Sequence, residues 1–143
     1  MPERFGFFHQ FVEDVCRGVH DLATDRLKIM LTGKEPSVTD AVKSDLPEIT
    51  AQNGYTAGGK SLSIKKSEQV NGTFKLQADN IAFKARGGSV GPFRYVVLYN
   101  DKPNTKPLIA FWSYDESILI RDGEDFRVEL SENLSEFLSI SEE

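Results

Sequence analysis

The N-terminal part of the chain carries one apolar pattern with a helical period. Five apolar residues are separated by four, three, four and three positions: Phe8, Val12, Val15, Val19 and Leu22. These spacings place them on one stripe of an α-helix, and such a stripe normally faces the core. Glu13, Asp14 and Arg17 fall on the other faces, and Gly18 weakens the last turn. We therefore predict an amphipathic helix over about residues 8–20.

Beyond residue 25 the apolar period changes to two, which is typical of β-strands. Segments with short apolar runs or alternation are predicted as strands: 26–32, 48–50, 61–66, 73–78, 81–85, 117–120, 126–130 and 136–140. Two more segments, 92–99 and 108–114, are apolar on both faces and are predicted to be central strands. In the first, four residues should share one face: Phe93, Tyr95, Val97 and Tyr99. Val96 and Leu98 should lie on the other face.

Turn signals separate these segments at intervals of about ten residues. Asn71-Gly72 and Asp122-Gly123 predict tight hairpin turns, and 100–106 predicts a longer hairpin loop. One helix followed by eight to ten short strands is typical of a mainly β protein. We predict an antiparallel β-sandwich or jelly roll with one N-terminal α-helix. Residues 1–143 should form a single domain, with an arm and helix over 1–22 and the sandwich over 23–143.

Charge and composition exclude several classes of partner. The net charge is −5 at pH 7 and the basic residues are scattered, so no nucleic-acid partner is expected. The densest basic group, Lys60, Lys65 and Lys66, is interpreted as a solvated strand edge. No apolar run reaches the roughly 18 residues that span a bilayer, so no membrane association is expected. The single cysteine, Cys16, excludes an intramolecular disulfide, and the N-terminus lacks a signal-peptide pattern, which favours synthesis and folding in a cytoplasm.

Residues 54–61 read GYTAGGKS and match the phosphate-loop pattern G-x-x-x-x-G-K-[ST]. A phosphate loop requires a helix directly after the lysine, because the helix N-terminus supplies the amides and the dipole that bind phosphate. Here Leu62 and Ile64 alternate with polar residues, and Asn71-Gly72 then forces a turn. We predict a strand after Ser61 and therefore no nucleotide binding.

No other residue pattern predicts catalysis or a cofactor. His9 and His20 are eleven residues apart, too far on one helix for a shared metal ion, and Cys16 and His20 lack further ligands. No enzymatic activity, cofactor or metal site is therefore predicted. Four aromatic residues in the central strands are either core residues or a platform for stacking sugars: Tyr95, Tyr99, Trp112 and Tyr114.

Four segments resemble a family of small structural proteins of tailed bacteriophages, many of which are called hypothetical. They read FVEDVCRGVHDLATDRLKIMLT (11–32), EITAQNGYTAGGKSL (48–62), GGSVGPFRYVVLYND (87–101) and KPLIAFWSYDESILIRDGEDFRVEL (106–130). The resemblance runs in order over roughly residues 8–130 and depends on its length, since no short motif is diagnostic. In the family the position after NGYTAGG need not be lysine, which also argues against a phosphate loop.

The resemblance implies a virion component made in the bacterial host cytoplasm, most simply a capsid cement or decoration protein. Its partners would be the major capsid protein or other virion proteins, and it would form a homo-oligomer, either a dimer or a trimer. A tail or baseplate position is the alternative, where a carbohydrate-binding role would use surface aromatics. From the residues, the candidate contact surface consists of four phenylalanines, which exceed what one amphipathic stripe requires: Phe5, Phe7, Phe8 and Phe11. The other interpretation is that the helix simply caps the sandwich.

Overall fold

Antiparallel strands make up most of the fold. The computed structural model describes residues 4–22, 24–128 and 138–139, and the side chains of 6–22 and 24–128. Within these ranges it contains one α-helix and three antiparallel sheets, arranged in a β-sandwich-like fold. The predicted fold class is therefore confirmed.

The regular elements follow in chain order. They are β1 (Arg4–Phe7), α1 (His9–Cys16), β2 (Leu27–Thr32), a 3-10 helix (Lys43–Asp45), β3 (Lys60–Ser61), β4 (Ile64–Val70), β5 (Thr73–Ala78), β6 (Ile81–Lys84), β7 (Val90–Asn100), β8 (Leu108–Ile120), β9 (Asp125–Val128) and β10 (Leu138–Ser139). The predicted strand at 48–50 is absent, although Ile49 N donates one hydrogen bond to Leu31 O of β2 at 3.1 Å. The predicted segments 126–130 and 136–140 extend beyond the described residues.

The largest sheet has five strands in the order β1-β8-β7-β2-β3. Its centre is the β7–β8 hairpin, closed by the loop that was predicted after Asn100. The sequence predicted two strands, 108–114 and 117–120, where the structure has one strand of 13 residues. Between Ser113 and Ile118 the register with β7 is irregular, and Tyr114 O and Asp115 O accept hydrogen bonds from the side chain of Arg94; pairing then resumes as far as Ile120, opposite Val90.

Two smaller sheets form the second layer, with the strand orders β10-β5-β4 and β6-β9. Asn71 and Gly72 both have positive φ, 54° and 86°, and join β4 to β5 in the predicted tight hairpin. The predicted hairpin at Asp122-Gly123 is wrong in its pairing, because β9 pairs with β6 and not with β8. The turn does form, but Gly123 N donates to Ala85 O at 2.8 Å, which directs the following strand alongside β6.

Both faces of the five-stranded sheet are buried, as predicted for its central strands. The larger core lies between this sheet and the two smaller sheets and includes Leu98, and the smaller core on the opposite face includes Val97. Phe93 was predicted on the same face as Val97 but lies in the larger core. The register with β8 shifts on both sides of Phe93, between Val90 and Phe93 and between Phe93 and Tyr95, so the regular alternation of β7 does not hold at this end of the strand.

Candidate functional site

Helix α1 is held at its start by the main sheet. Strand β1 pairs with β8, with Gly6 opposite Phe111, and Phe8 N extends the ladder to Ile109 O at 3.1 Å. His9 N then donates to Val38 O at 2.8 Å, which satisfies one of the amides that a helix leaves free at its N-terminus. The segment predicted as an N-terminal arm is therefore, from Arg4 onwards, a strand of the sheet.

The helix ends at Cys16, earlier than predicted, in a Schellman motif. Val19 N donates to Asp14 O at 2.9 Å and Gly18 N donates to Val15 O at 3.2 Å, which are the two bonds that define this motif. Gly18 has φ of +76°, a left-handed conformation that glycine adopts without strain. Gly18 was predicted to weaken the last turn of the helix. In the structure it ends the helix and turns the chain towards β2.

The face of α1 that packs against the protein is not the face that the sequence predicted. Phe11 and Asp14 are buried, and the ring of Phe11 stacks on that of the half-buried Phe7 at 5.4 Å. Of the predicted apolar stripe, Phe8 is buried and Leu22 is half-buried. The three valines between them are exposed.

These valines form a stripe on the outer surface. Val12 is 63% exposed, and Val15 and Val19 are each 37% exposed. Val12, Val15 and the exposed Cys16 lie at positions i, i+3 and i+4 along one side of α1, and Val19 follows in the turn that ends the helix. We call Val12, Val15, Cys16 and Val19 the outer stripe. Three of the five large apolar side chains that are exposed among the described residues belong to it.

A surface pocket of about 640 Å³ adjoins the outer stripe. Its lining includes Val15 and Gly18 from the helix end, and Ser67 and Phe74 from the β4–β5 hairpin. Phe74 and Leu22 are half-buried hydrophobic residues that also pack against the larger core. The stripe and the pocket therefore make one continuous, largely apolar surface.

A buried polar network holds the segment after α1 against the sheet. Asn100 Nδ2 donates to Asp25 Oδ2 at 2.8 Å and to His20 Nδ1 at 3.0 Å, and Asp21 N donates to Asp25 Oδ2 at 2.9 Å. With Asn100 as donor, the neutral ring of His20 carries its proton on Nε2. That atom lies 3.9 Å from Asp14 Oδ2 and has no hydrogen-bond partner within the described residues.

The network changes the acidity of its members. Burial lowers the pKa of His20 below its ordinary value, although the nearby Asp14 and Asp25 carboxylates act in the opposite direction. Burial would raise the pKa of Asp25, but hydrogen bonds from Asp21 N, Asn100 and Lys102 outweigh it, and the pKa is lowered. Asp25 is therefore ionised and His20 is neutral at pH 7.

Two of the four phenylalanines in the predicted contact surface, Phe8 and Phe11, do not reach the surface of the chain. Phe8 and Phe11 are fully buried, because Phe8 packs on Phe111 in the smaller core and Phe11 contacts the larger one. Phe7 is half-buried on Phe11. Phe5 pairs through its backbone with Trp112, and its side chain lies outside the described residues. This agrees with the other interpretation, that the helix covers the sandwich.

The aromatic residues considered for sugar stacking are core residues. Trp112, Tyr95, Tyr99 and Tyr114 are each less than a tenth exposed. Burial raises the pKa of Tyr114 to about 12, in keeping with an apolar environment for its hydroxyl group. A flat platform open to a glycan is therefore not available at these four positions.

The phosphate-loop match leads into a strand, as predicted. Lys60 and Ser61 form β3 beside β2, and the chain continues as β4. A Cβ atom added to Gly59 would lie 1.8 Å from Ile29 O, so this glycine is required by the close approach of two backbones. Lys60 Nζ donates to Ala82 O at 2.7 Å.

The amide of Gly58 is already occupied by a carboxylate of the same chain. Glu48 Oε2 accepts a hydrogen bond from Gly58 N at 2.6 Å and another from the hydroxyl group of Tyr55. Lys43 Nζ lies 3.2 Å from the other oxygen of Glu48. The Tyr99 hydroxyl group donates to Gly58 O at 2.6 Å, and this hydrogen bond holds the loop around Gly58 against β7.

The remaining charged and metal-binding candidates do not come together in one site among the described residues. Lys65 and Lys66 lie on the exposed edge strand β4, 3.5 Å from Asp79 and 3.2 Å from Glu68, as expected for a solvated strand edge. Cys16 is exposed whereas His20 is buried. In residues 4–22 and 24–128, no group of three or more His, Cys, Asp or Glu side chains could hold a metal ion.

Sequence reasoning identified the residues of the outer stripe but assigned them to the core. The sequence signal for the face that is buried is a second set of positions at i, i+4 and i+7, namely Phe7, Phe11 and Asp14. Its third member is a carboxylate, so pattern alone favoured the valines. Only the pairing of β1 with β8 decides which stripe faces inward.

Within the part of the chain that the structure describes, no helix is long and apolar enough to cross a bilayer. Comparisons of the chain with protein-family models, with curated proteins and with solved structures found no match.

Proposed function

We propose that this protein is a structural component of a tailed-bacteriophage virion, and specifically a capsid cement or decoration protein. The observation that carries the proposal is the outer stripe. A helix and its C-terminal turn that expose three valines within eight residues, while the helix buries Asp14, have the pattern of a surface covered by another protein. The resemblance of residues 8–130 to small phage structural proteins supplies the class of assembly.

The fold suits this role physically. The β7–β8 hairpin, buried on both faces, provides a rigid base, and the Glu48 and Asn100 networks fasten the long loops to it. A cement protein that binds only the assembled shell stabilises that shell by linkage, in proportion to the free energy of binding. Its function then depends on exposed contact surfaces held in a fixed geometry.

The test is to locate the protein in purified particles of the phage that encodes it, by counting copies with mass spectrometry and by antibody labelling. We expect many copies on the head, and particles that lack the protein should release DNA at a lower temperature. Labelling confined to the tail or baseplate would favour the alternative position, and absence from the particle would overturn the virion proposal.

Two variants connect the location to the outer stripe. Val12→Glu places a charge in the stripe, and Val70→Glu places the same charge on β4, where Val70 is 38% exposed. Both residues are exposed, so both variants should fold. We expect Val12→Glu to reduce the copy number per particle and Val70→Glu to leave it unchanged. Equal copy numbers would show that the stripe is not a contact surface.

A further inference from the structure

We propose that Asn71 is a site of spontaneous covalent modification, at which the asparagine is converted to aspartate and isoaspartate through a cyclic imide. The inference does not depend on the proposed function. It is argued from a comparison within the chain, because the dipeptide Asn-Gly occurs at 53–54 and again at 71–72. Asn53 and Asn71 have almost the same φ, 55° and 54°, but their surroundings differ.

The reaction needs only water and the residue that follows the asparagine. Hydroxide removes the proton of the Gly72 amide, and the amide nitrogen attacks Cγ of the Asn71 side chain. The new C–N bond closes the cyclic imide, and the Cγ–Nδ2 bond breaks to release ammonia. Water then adds to one of the two ring carbonyls and opens the ring, which gives aspartate or isoaspartate. Glycine has no Cβ, so it hinders the attack less than any other residue.

Asn71 is unrestrained at the tip of the β4–β5 hairpin. Asn71 and Gly72 are both exposed, and the Asn71 side chain makes no hydrogen bond or ion pair with the described residues. The Gly72 amide, which supplies the attacking nitrogen, donates to the side-chain oxygen of Gln69 at 3.1 Å, and Gln69 is itself exposed. The turn can therefore reach the cyclic geometry by local motion, without opening the core.

Asn53 carries the same dipeptide but is held by contacts on both its side chain and its backbone. It is half-buried, and its Nδ2 donates to Ser89 O at 2.8 Å. Its backbone oxygen accepts a hydrogen bond from Arg86 N at 2.8 Å. The backbone at Gly54 is also enclosed, since a Cβ atom added there would meet Lys84 O. Cyclisation at Asn53 requires these contacts to break first, and this requirement makes Asn53 the slower site.

The two products should differ in their effect on the hairpin. Both add one negative charge to a chain whose net charge is −5. Aspartate followed by glycine suits the same two-residue turn, in which both residues have positive φ. Isoaspartate carries the main chain through its side-chain carbon, which lengthens the backbone of the turn. The pairing of Val70 with Thr73 should therefore loosen in the isoaspartate form and not in the aspartate form.

The first experiment follows both sites in one sample of folded protein incubated at pH 8. Trypsin cleaves after lysine and arginine, so Asn71 and Asn53 fall in separate peptides, 67–75 and 44–60. Chromatography with mass spectrometry measures asparagine, aspartate and isoaspartate in each peptide. We expect Asn71 to react at least about tenfold faster than Asn53, because Asn53 must open locally first. A rate at Asn71 no faster than at Asn53 would overturn the proposal.

Protein unfolded in urea is the control for local sequence. Without the fold, Asn71 and Asn53 should react at similar rates, because glycine follows both. If Asn71 remained about tenfold faster in urea, the difference would come from the neighbouring residues and the structural argument would fail. The products test the route as well. The imide gives both isoaspartate and aspartate, so aspartate alone at Asn71 would exclude it.

A substitution separates the effect of the added charge from that of the lengthened backbone. Asn71→Asp adds the charge and keeps the ordinary backbone, so it should unfold at nearly the wild-type temperature. The isoaspartate form, isolated by ion exchange from aged wild-type protein, carries the same charge and should unfold at a lower temperature. Equal unfolding temperatures for the isoaspartate form and Asn71→Asp would overturn the proposed effect on the hairpin.

Discussion

The β7–β8 hairpin and helix α1 place their apolar residues in opposite ways. In the hairpin, apolar side chains on both faces are buried, including Val97 on one face and Leu98 on the other. In the helix, a carboxylate is buried at Asp14 while Val12 is 63% exposed. The difference shows that apolar periodicity predicts the type of element correctly but does not determine which face a single protomer buries.

The physical reason is that the hairpin and the helix have different neighbours. Strands β7 and β8 are central in a sheet that is covered on both sides, so most of their apolar residues are buried, and Leu119 near the end of β8 is the exception at 43% exposed. Helix α1 is connected to β1, and the pairing of β1 with β8 sets its rotation. With that rotation Phe11 reaches the core and the valines do not. The following predictions test this contrast, beginning with the largest expected effect.

Phe11 and Val12 are adjacent in sequence but should differ most in their contribution to stability. Phe11→Ala removes a fully buried ring and should lower the free energy of unfolding by about 3–5 kcal/mol. Val12→Ala changes an exposed side chain and should alter it by less than about 0.5 kcal/mol. Urea unfolding of dilute protein measures both. A larger loss for Val12→Ala than for Phe11→Ala would mean that the valines form the packed face.

Gly59 and Gly18 have similar φ values but different surroundings. Replacing each by alanine therefore distinguishes the cost of close packing from the cost of backbone conformation. Gly59 has φ of +82° and its added Cβ would meet Ile29 O, whereas Gly18 has φ of +76° and open space around it. Gly59→Ala should cost about 3 kcal/mol or more, from strain and overpacking together. Gly18→Ala should cost about 1–2 kcal/mol, from the left-handed conformation alone. Thermal unfolding measures which variant loses more stability. Equal losses for Gly59→Ala and Gly18→Ala would contradict the backbone contact at Gly59.

The buried His20 network should make stability depend on pH. The pKa of His20 is lower in the folded state than the value of about 6.5 in the unfolded chain, so the unfolded chain binds more protons. Stability is therefore full above about pH 6.5 and falls as the pH decreases below that value, by at most about 1.4 kcal/mol per pH unit for one proton. The lowered pKa of Asp25 adds a further loss below about pH 4.

A pair of histidine variants tests this assignment through urea unfolding between pH 5 and pH 8. His20→Gln should flatten the dependence below about pH 6.5, because it removes the group that titrates on unfolding. His9→Gln is the control, since His9 is exposed at the start of α1, and it should keep the wild-type slope. A slope that persists in His20→Gln would show that another group accounts for the pH dependence.

The smallest effect is expected for the exposed ion pair on the outer face. Glu13→Gln should lower the free energy of unfolding of dilute protein by no more than about 0.5 kcal/mol, because pairs this exposed are screened by water and salt. A loss of several kcal/mol in dilute protein would place Glu13 in the protomer's own packing.

Much of the fold could be predicted because it follows from local rules. Asn71-Gly72 specifies a tight turn through the conformations available to its two residues, and the structure places it between β4 and β5. The segment after Ser61 alternates with a period of two and is extended. By contrast, the turn at Asp122-Gly123 was predicted, but the strand that follows it, β9, pairs with β6 and not with β8. A turn sequence does not specify which strand the next segment will pair with.

The candidate site was predicted less well than the fold. The four phenylalanines were selected as surplus aromatic residues, yet Phe8 and Phe11 fill cores on opposite faces of the sheet. Asp14 could not be recognised as a buried residue, because its neighbours Gln10 and His20 reach it only in the folded chain. Position in the tertiary structure, and not residue type, decides which side chains reach the surface.

By itself, the sequence determined the mainly antiparallel β class, the N-terminal α-helix and the extended chain after Ser61. These depend on backbone preferences and on the period of apolar residues, which act over a few neighbours. Tertiary structure alone decided that β9 pairs with β6, that Phe93 lies in the larger core where the β7–β8 register is irregular, and that α1 turns its valines outward. Each of these depends on contacts between residues far apart in the chain, and local periodicity carries no information about them.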